Sequence, residues 1–196
     1  AATIGGCGKH FPGHGDTDLD SHLALPKVEH ELGRLRDVEW PPFRAAIDAG
    51  LDSMMTAHVI VSALDETVPA TFSKKAMDTL RRELRFGGVI ISDDIEMKAV
   101  AGNYSVTEMA ERGLASGIDV FLSCKRYEST LELFRGIVQH VETNRFPQRE
   151  LMVTDKRNIT WLNRWYRAPT AYNRQTIETT EHQDLAQLVE DRYNAG

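Results

Sequence analysis

A short segment near the start of the chain is rich in side chains that transfer protons or bind charged groups. Residues 9–26 read KHFPGHGDTDLDSHLALP and contain three histidines, three aspartates, one lysine and two glycines. The segment follows an apolar run that predicts a strand, and in parallel α/β folds the loops after the strands build the active site. We therefore predict that residues 9–26 form a catalytic or binding loop.

Two other interpretations of this loop remain open. A metal site would use His10, His14, His22 and the aspartates, but their spacing is neither that of a helical HExxH pair nor that of a zinc ribbon. A structural loop would use His and Asp side chains to cap turns, with Gly13 and Gly15 supplying positive φ angles. We expect this structural role for the two glycines.

A second cluster of acidic residues follows the apolar run at residues 87–92. The sequence continues as Asp93-Asp94-Ile95-Glu96, and carboxylates at the carboxyl end of a barrel strand are typical of catalysis. For Asp94 we expect helix N-capping or a supporting hydrogen bond, and for Glu96 a place in the first turn of the next helix. The cluster predicts chemistry at the end of this strand.

Other polar and aromatic residues have ordinary structural interpretations. A lone histidine in an apolar run, such as His58, is usually a hydrogen-bonded core residue; substrate contact, or orientation of the acidic cluster, is the alternative. Asp119 is expected to be structural. Helical spacing predicts core packing rather than a ligand-stacking surface for Trp161, Trp165 and Tyr166.

Composition limits the class of protein. The chain has 196 residues, 41% of them hydrophobic, and a formal net charge of −6 without blocks of Lys or Arg. We expect a packed core and neither nucleic acid nor an anionic membrane as the main partner. No apolar stretch reaches the length of about 18 residues that a membrane span needs. Cys7 and Cys124 lie in apolar runs and are predicted to be buried free thiols.

Four apolar runs, each followed by a polar loop and a helical pattern, predict repeated βα units. The runs span residues 1–11, 53–61, 87–92 and 118–123, and helices are expected at 41–50, 73–85, 105–116 and 129–143. This pattern is typical of an α/β fold with a parallel sheet, whose closed form is a TIM-type (β/α)8 barrel. We expect residues 1–167 to supply about four βα units and C-terminal helices of such a barrel, and residues 168–196 to form a linker and terminal helix towards a second domain.

The loop at residues 9–26 resembles the signature KHFPGHG-D-T-x-x-D-S-H-x-x-L-P of family 3 glycoside hydrolases, in the branch of bacterial β-N-acetylglucosaminidases. The strings SDDIEM at 92–97 and MTAHV at 55–59 are similar to two further segments of that family. The resemblance extends from residue 1 to about residue 169. It implies a barrel whose earlier strands, with sugar-binding Asp and Arg residues, are supplied by preceding sequence or by a partner chain.

The resemblance also implies roles for the matching residues. Asp93 matches the family's nucleophile, and Asp20 with His22 matches its acid/base dyad. The dyad suits proton transfer because an imidazole titrates near ~6.5 and an adjacent carboxylate fixes its tautomer. The residues expected to bind substrate are Lys9, His10 and His58.

The implied function is retaining hydrolysis of terminal β-linked N-acetylglucosamine, from N-acetylglucosaminides or muropeptides of peptidoglycan, without a metal or an organic cofactor. Three alternatives remain open: a β-N-acetylglucosaminide phosphorylase, because a neutral histidine repels phosphate less than a carboxylate does; a β-glucosidase of the same family; and a non-catalytic sugar-binding half-barrel. The location is left undecided between the cytoplasm and a secreted or periplasmic site. The sequence begins with Ala1 rather than Met, which is compatible with a processed or truncated start.

Overall fold

A parallel sheet forms the centre of the fold. The computed structural model describes residues 5–15, 17 and 25–142. The strands are β1 (Cys7–Phe11), β2 (Lys27–Val28), β3 (Ser53–Thr56), β4 (Ile60–Val61), β5 (Val89–Asp94) and β6 (Val120–Leu122). Strands β1, β3, β5 and β6 form one parallel sheet in that order, and β2 and β4 form a separate parallel pair. The prediction of a parallel α/β fold is confirmed.

Helices return the chain from the end of each strand of the larger sheet to the start of the next. They are α1 (Leu32–Arg34), α2 (Trp40–Asp48), α3 (Lys74–Asp78), α4 (Lys98–Ala101), α5 (Val106–Ser116) and α6 (Tyr127–Glu142). Two π-helical turns, Leu35–Glu39 and Thr79–Glu83, and a 3-10 turn, Ala70–Phe72, join them. The four βα units expected from the sequence are therefore present among the described residues, with helix ends shifted by one or a few positions.

The second apolar run is not one strand as predicted. β3 ends at Thr56, and the chain then leaves the main sheet so that the Ile60 N–H donates to the Pro26 carbonyl at 2.9 Å and the Ser62 N–H to the Val28 carbonyl at 3.0 Å. Both halves of the run are largely buried, so the hydrophobic pattern continues through the change of sheet. Periodicity reports burial, and burial here does not mark where the strand ends.

Side-chain caps begin two of the predicted helices. The Ser73 hydroxyl accepts a hydrogen bond from the Ala76 N–H at 3.2 Å, as expected for an N-cap. Ser105 and Glu108 form a reciprocal capping box at the start of α5. Met77, Leu80 and Leu84, which follow Ser73 at helical spacing, are all buried and form one apolar stripe.

Two apolar clusters hold the sheet and helices together. The larger one packs the sheet against the first three helices and contains the fully buried Trp40, Met54 and Ile90. The smaller one lies around α4, α5 and α6 and contains Ile95 and Met109. Because Ile95 follows β5 directly, the second cluster fixes the chain immediately after the acidic cluster.

Asp119 has the structural role expected of it. Its carboxylate accepts a hydrogen bond from the Ile90 N–H at 2.8 Å and pairs with the Arg81 guanidinium at 2.6 Å. The same guanidinium donates to the carbonyl oxygens of Phe86 and Gly88. One charged pair thus joins the π-helical turn, the start of β5 and the loop before β6.

Gly88 lies where two strands approach each other closely. The Val89 N–H donates to the Asp52 carbonyl at 3.0 Å, which begins the β3–β5 pairing. A Cβ atom on Gly88 would lie 2.3 Å from that same carbonyl oxygen, whereas one on the neighbouring Gly87 would have no atom within 4 Å. A glycine at 88 is therefore required by space rather than by its φ angle.

The prediction for the two cysteines is wrong, because Cys7 and Cys124 are free but exposed. Cys7 begins β1, an edge strand of the sheet, and Cys124 lies beyond the end of β6 in the following loop. Within the described part of the chain, no helix has both the length and the apolar character of a membrane span. The boundary at 167/168, the expected C-terminal helices beyond residue 142 and the aromatic residues Trp161, Trp165 and Tyr166 lie outside the described residues.

Candidate active site

The carboxyl ends of β1 and β5 border an open cleft of about 760 Å³. Lys9, His10 and His14 line it from the first strand and its loop, and Asp93 lines it from β5. Another part of the lining is apolar. It is formed by Val38, Pro42, Phe43 and Ala46. The structure therefore brings three of the predicted site residues, Lys9, His10 and Asp93, to one surface.

Asp93 presents one carboxylate oxygen to this cleft. Its Oδ1 accepts a hydrogen bond from the Asp94 N–H at 2.8 Å. Its Oδ2 lies 3.6 Å from Nε2 of His10, and the Asp93 side chain is 17% exposed. One oxygen is thus held by the backbone while the other faces an imidazole and the open space. This arrangement suits a carboxylate that must attack from a fixed direction.

β1 carries Lys9 and His10 on a firmly packed strand end. Phe11 is fully buried and meets the rings of Trp40 and Phe43 at centroid distances of 6.3 and 5.5 Å. Lys9 is exposed and His10 is half-buried. The peptide bonds between Lys9 and His10 and between Phe11 and Pro12 are cis.

Gly13 turns the chain after this strand, as expected from the sequence. Its φ angle is +132°, a value that favours glycine, and its N–H donates to the His10 carbonyl at 2.9 Å. Gly15 does not have a positive φ angle, so that part of the expectation is wrong. The ring of His14 lies 6.1 Å from that of His10, and its Nδ1 is 3.1 Å from the Thr17 hydroxyl.

His58 lies beneath the site rather than at its surface. The residue is 1% exposed. Its Nδ1 lies 2.9 Å from the Thr71 hydroxyl, and its Nε2 lies 3.1 Å from the Asp94 carbonyl oxygen. Of the roles considered for His58, these contacts favour a hydrogen-bonded residue that orients the acidic cluster over one that contacts substrate.

Asp94 and Glu96 tie the loops around the site together. Oδ1 of Asp94 accepts hydrogen bonds from the N–H groups of Glu96 at 3.0 Å and Cys124 at 3.3 Å, which is the supporting role expected of it. Glu96 precedes α4 instead of lying in its first turn, which corrects the prediction. Its carboxylate accepts hydrogen bonds from the backbone N–H groups of Lys125 and Arg126. Although burial raises the pKa of Glu96, these hydrogen bonds outweigh it and leave the pKa below its ordinary value.

The predicted dyad, Asp20 and His22, lies outside the described residues, so its assignment stays a prediction. His22 is also a member of the metal-site hypothesis, of which only the His10 and His14 rings are described. Thr56 and Thr71 were not predicted as part of the site, yet both are fully buried and their hydroxyls connect to His58. Threonines within apolar runs carry no signal of their own, so only the fold reveals this connection.

Burial of His58 makes stability depend on pH. Burial lowers its pKa from the ordinary value of 6.5, and the nearby Asp93 and Asp94 only partly oppose this. As the pH falls through about 6.5, His58 is therefore protonated in the unfolded chain but stays neutral in the folded chain. We expect full stability above this pH and a loss below it, with a slope approaching ~1.4 kcal/mol per pH unit for one proton.

Urea unfolding of the full-length protein between pH 5 and 8 measures this effect. His58→Gln removes the titrating group while keeping a side-chain N–H, so its free energy of unfolding is expected to vary less over the same range. Equal pH dependence of the wild type and this variant would show that other groups cause the loss.

The comparisons with known proteins agree with the motif and the fold. The sequence profile "Glycosyl hydrolase family 3 N terminal domain" matches residues 2–160. A β-hexosaminidase of Neisseria gonorrhoeae is 40% identical over 131 residues, which are 66% of this chain and 36% of that protein.

Solved structures of similar proteins show the same fold. A family 3 β-N-acetylglucosaminidase from Paenibacillus sp. matches with a TM-score of 0.78 and 39% identity, over 80% of this chain and 30% of that one. NagZ from N. gonorrhoeae in complex with N-trifluoroacetyl-D-glucosamine matches with a TM-score of 0.60 and 38% identity, over 68% of this chain and 38% of that one.

The chain spans between 30% and 38% of the length of these three relatives. The described sheet with its helices is accordingly part of a TIM-type α/β barrel, which confirms the fold class expected from the sequence. The profile match covers most of the chain and contains both the strand-end carboxylate and the histidine-rich loop. The chain belongs to glycosyl hydrolase family 3, and it matches that family's N-terminal domain.

Proposed function

We propose that the full-length protein removes terminal β-linked N-acetylglucosamine by a retaining mechanism in which Asp93 is the nucleophile. The observation that carries this proposal is the position of the Asp93 carboxylate at the end of β5, where it lines the same cleft as Lys9 and His10 of β1 and lies 3.6 Å from Nε2 of His10. A carboxylate at a barrel strand end, in a family of glycosidases, is suited to form a covalent glycosyl-enzyme.

The free oxygen of Asp93 would attack the anomeric carbon. Because Oδ1 is held by the Asp94 N–H, the carboxylate cannot rotate freely and Oδ2 keeps its direction towards the cleft. The C–O bond to the leaving group then breaks as the bond to Oδ2 forms. Water later attacks the same carbon and releases Asp93, so that two inversions give overall retention.

Asp20 and His22 would transfer the proton in both steps. In the first step an imidazolium at His22 gives its proton to the leaving oxygen, and in the second the neutral imidazole takes one from water. Asp20 would hold the ring's tautomer and stabilise its charged form. This assignment is supported by the Asp-Ser-His string of the loop, whose beginning after β1 borders the cleft that holds Asp93.

Lys9 and His10 would bind hydroxyl groups of the sugar. Lys9 is an exposed cation at the cleft, and His10 is half-buried beside the carboxylate that would attack. An ammonium group donates up to three hydrogen bonds and an imidazole at least one, which suits a ring with several hydroxyls. Their origin on one strand, anchored by Phe11, limits the movement of both.

The relatives support an N-acylated glucosamine as substrate. The similar proteins include a β-hexosaminidase and a β-N-acetylglucosaminidase, and the NagZ crystal holds N-trifluoroacetyl-D-glucosamine. We propose terminal N-acetylglucosamine of peptidoglycan fragments as the natural substrate class. We also propose that sequence beyond this chain completes the barrel, because β1 and β6 are the edges of the described sheet.

The stereochemistry of the first product tests this function. The full-length protein is mixed with 4-nitrophenyl β-N-acetylglucosaminide, and proton NMR records the anomer of the sugar before it equilibrates. We expect the β-anomer to appear first. The α-anomer first would refute retention, and the absence of turnover would favour the non-catalytic alternative.

The same assay separates the remaining alternatives. Adding phosphate is expected to leave the rate and the product unchanged; N-acetylglucosamine 1-phosphate as the main product would instead show a phosphorylase. Faster turnover of 4-nitrophenyl β-glucoside than of the N-acetylated substrate would identify a β-glucosidase.

A further inference from the structure

Two buried threonines continue the contacts of His58 away from the cleft. Thr56 lies at the end of β3, and Thr71 lies in the 3-10 turn Ala70–Phe72. Both are 0% exposed. Their hydroxyl oxygens are 2.9 Å apart, and Thr71 is in turn 2.9 Å from Nδ1 of His58. Three buried polar side chains therefore form one continuous chain.

The acceptor at its upper end, the Asp94 carbonyl, favours one direction for the hydrogen bonds of the chain. The Asp94 carbonyl can only accept, so Nε2 of His58 must carry the proton of the contact at 3.1 Å. In a neutral imidazole Nδ1 is then an acceptor for the Thr71 hydroxyl at 2.9 Å, which is the shorter of two contacts open to that O–H; the other is the Ala57 carbonyl at 3.1 Å. Thr71 has a single O–H, so its oxygen accepts the hydrogen bond from Thr56.

The backbone around Thr71, the middle member of the chain, is held by hydrogen bonds to neighbouring segments. The Ala70 N–H donates to the Val59 carbonyl at 2.8 Å, and the Ser116 hydroxyl lies 2.9 Å from the Thr71 carbonyl and 2.8 Å from that of Gly113. The backbone at Thr71 is thus held between the segment that precedes β4 and helix α5. A rigid donor at this place leaves His58 little freedom to rotate.

The upper end reaches the carboxylate through a single residue. Nε2 of His58 contacts the carbonyl oxygen of Asp94. The backbone N–H of Asp94 in turn donates to Oδ1 of Asp93 at 2.8 Å. A rotation of the backbone at Asp94 would therefore break one contact or move the other. The direction of the Asp93 carboxylate depends on both.

We propose that Thr56, Thr71 and His58 form a one-way hydrogen-bond chain that sets the direction in which Asp93 attacks. We call it the positioning chain, and its members are positioning residues, since none of them lines the cleft. The inference rests on the proposed function, in which Asp93 is the nucleophile. It adds Thr71 as the residue that selects the Nε2–H tautomer of His58.

The matched pair Thr71→Val and Thr71→Ser tests the chain in the full-length protein. Valine keeps the shape but cannot donate, whereas serine keeps the hydroxyl. For Thr71→Val we expect kcat for an aryl β-N-acetylglucosaminide to fall about 10- to 100-fold, the effect typical of a misdirected reacting group or a lost supporting contact. KM is expected to change little, because Lys9 and His10 are untouched. Thr71→Ser is expected to retain most of the turnover.

A second pair separates positioning from simple loss of stability. His58→Gln keeps an N–H where Nε2 stood, and His58→Met removes it at similar volume. We expect the glutamine variant to keep most of kcat and the methionine variant to lose it, with the fraction of active protein measured by the burst of released nitrophenol. Leu80→Val, a change in the fully buried core, serves as the control for destabilisation alone.

The tautomer provides a readout independent of turnover. Nitrogen-15 NMR of labelled histidine is expected to show a protonated Nε2 and an unprotonated Nδ1 for His58 in the wild type, and a mixture of tautomers in Thr71→Val. A protonated Nδ1 in the wild type, or equal kcat in His58→Gln and His58→Met, would overturn the positioning chain. Absence of wild-type turnover would instead refute the proposed function.

Discussion

Asp93→Gly is expected to lower the hydrolysis of aryl β-N-acetylglucosaminides by the full-length protein by ~10⁴-fold or more, because it removes the group that would form the covalent bond. Sodium azide is expected to restore turnover of a substrate with a good leaving group. The small anion fits the space left by the side chain and attacks from the same face. The product is then the α-glycosyl azide, which NMR identifies.

Asp94→Asn is the matched control for this experiment. Asparagine keeps the oxygen that accepts from the N–H groups of Glu96 and Cys124, so a much smaller loss is expected. Rescue of Asp93→Gly with formation of the β-azide would assign Asp93 to the acid/base step. A larger loss in Asp94→Asn than in Asp93→Gly would move the nucleophile to the second aspartate.

Asp119→Ala is expected to lower the free energy of unfolding by ~3 kcal/mol, because it removes one partner of a charge pair that is largely buried. The Asp119 side chain is 8% exposed and that of Arg81 is 32% exposed. Without the carboxylate, the Ile90 N–H and one arm of the Arg81 guanidinium lose their partner. Urea unfolding of the full-length protein, followed by tryptophan fluorescence, measures the change.

An exposed pair provides the contrast. Lys74 and Asp78 are 61% and 36% exposed, and Asp78→Ala is expected to cost less than about 1 kcal/mol. The double variant Arg81→Met/Asp119→Ala is expected to be less destabilised than the sum of the two single variants, since each single change leaves a charge without its partner. Strict additivity would show that the two side chains stabilise the fold independently.

Local signals made much of the fold predictable. The run GGVIIS, followed by Asp93, Asp94 and, after Ile95, Glu96, predicts a buried strand with carboxylates at its end. In the structure Asp93 lies at the end of β5. Ser73 and Ser105 mark helix starts by their ability to accept a backbone N–H. These features depend on residues a few positions apart, which is the range that a sequence pattern reports.

Contacts between distant segments were not predictable in this way. His58 and Thr71 are 13 residues apart, and their contact exists because the chain leaves the main sheet after β3 and returns through a 3-10 turn. The exposure of Cys7 likewise follows from the place of β1 at the edge of the sheet, which composition does not reveal. The dyad and the role of Asp93 stay predictions, which the experiments above address.

The close approach at Gly88 also limits how this sequence can evolve. Every other amino acid brings a Cβ atom, and that atom would meet the Asp52 carbonyl oxygen at 2.3 Å. The oxygen cannot retreat without giving up its hydrogen bond to Val89, on which the pairing of β3 with β5 begins. Substitution of Gly88 is therefore excluded by this clash, whereas a side chain at position 87 has space. Under the proposed function, the placement of Asp93 thus depends on a glycine five residues before it, which itself takes no part in the chemistry.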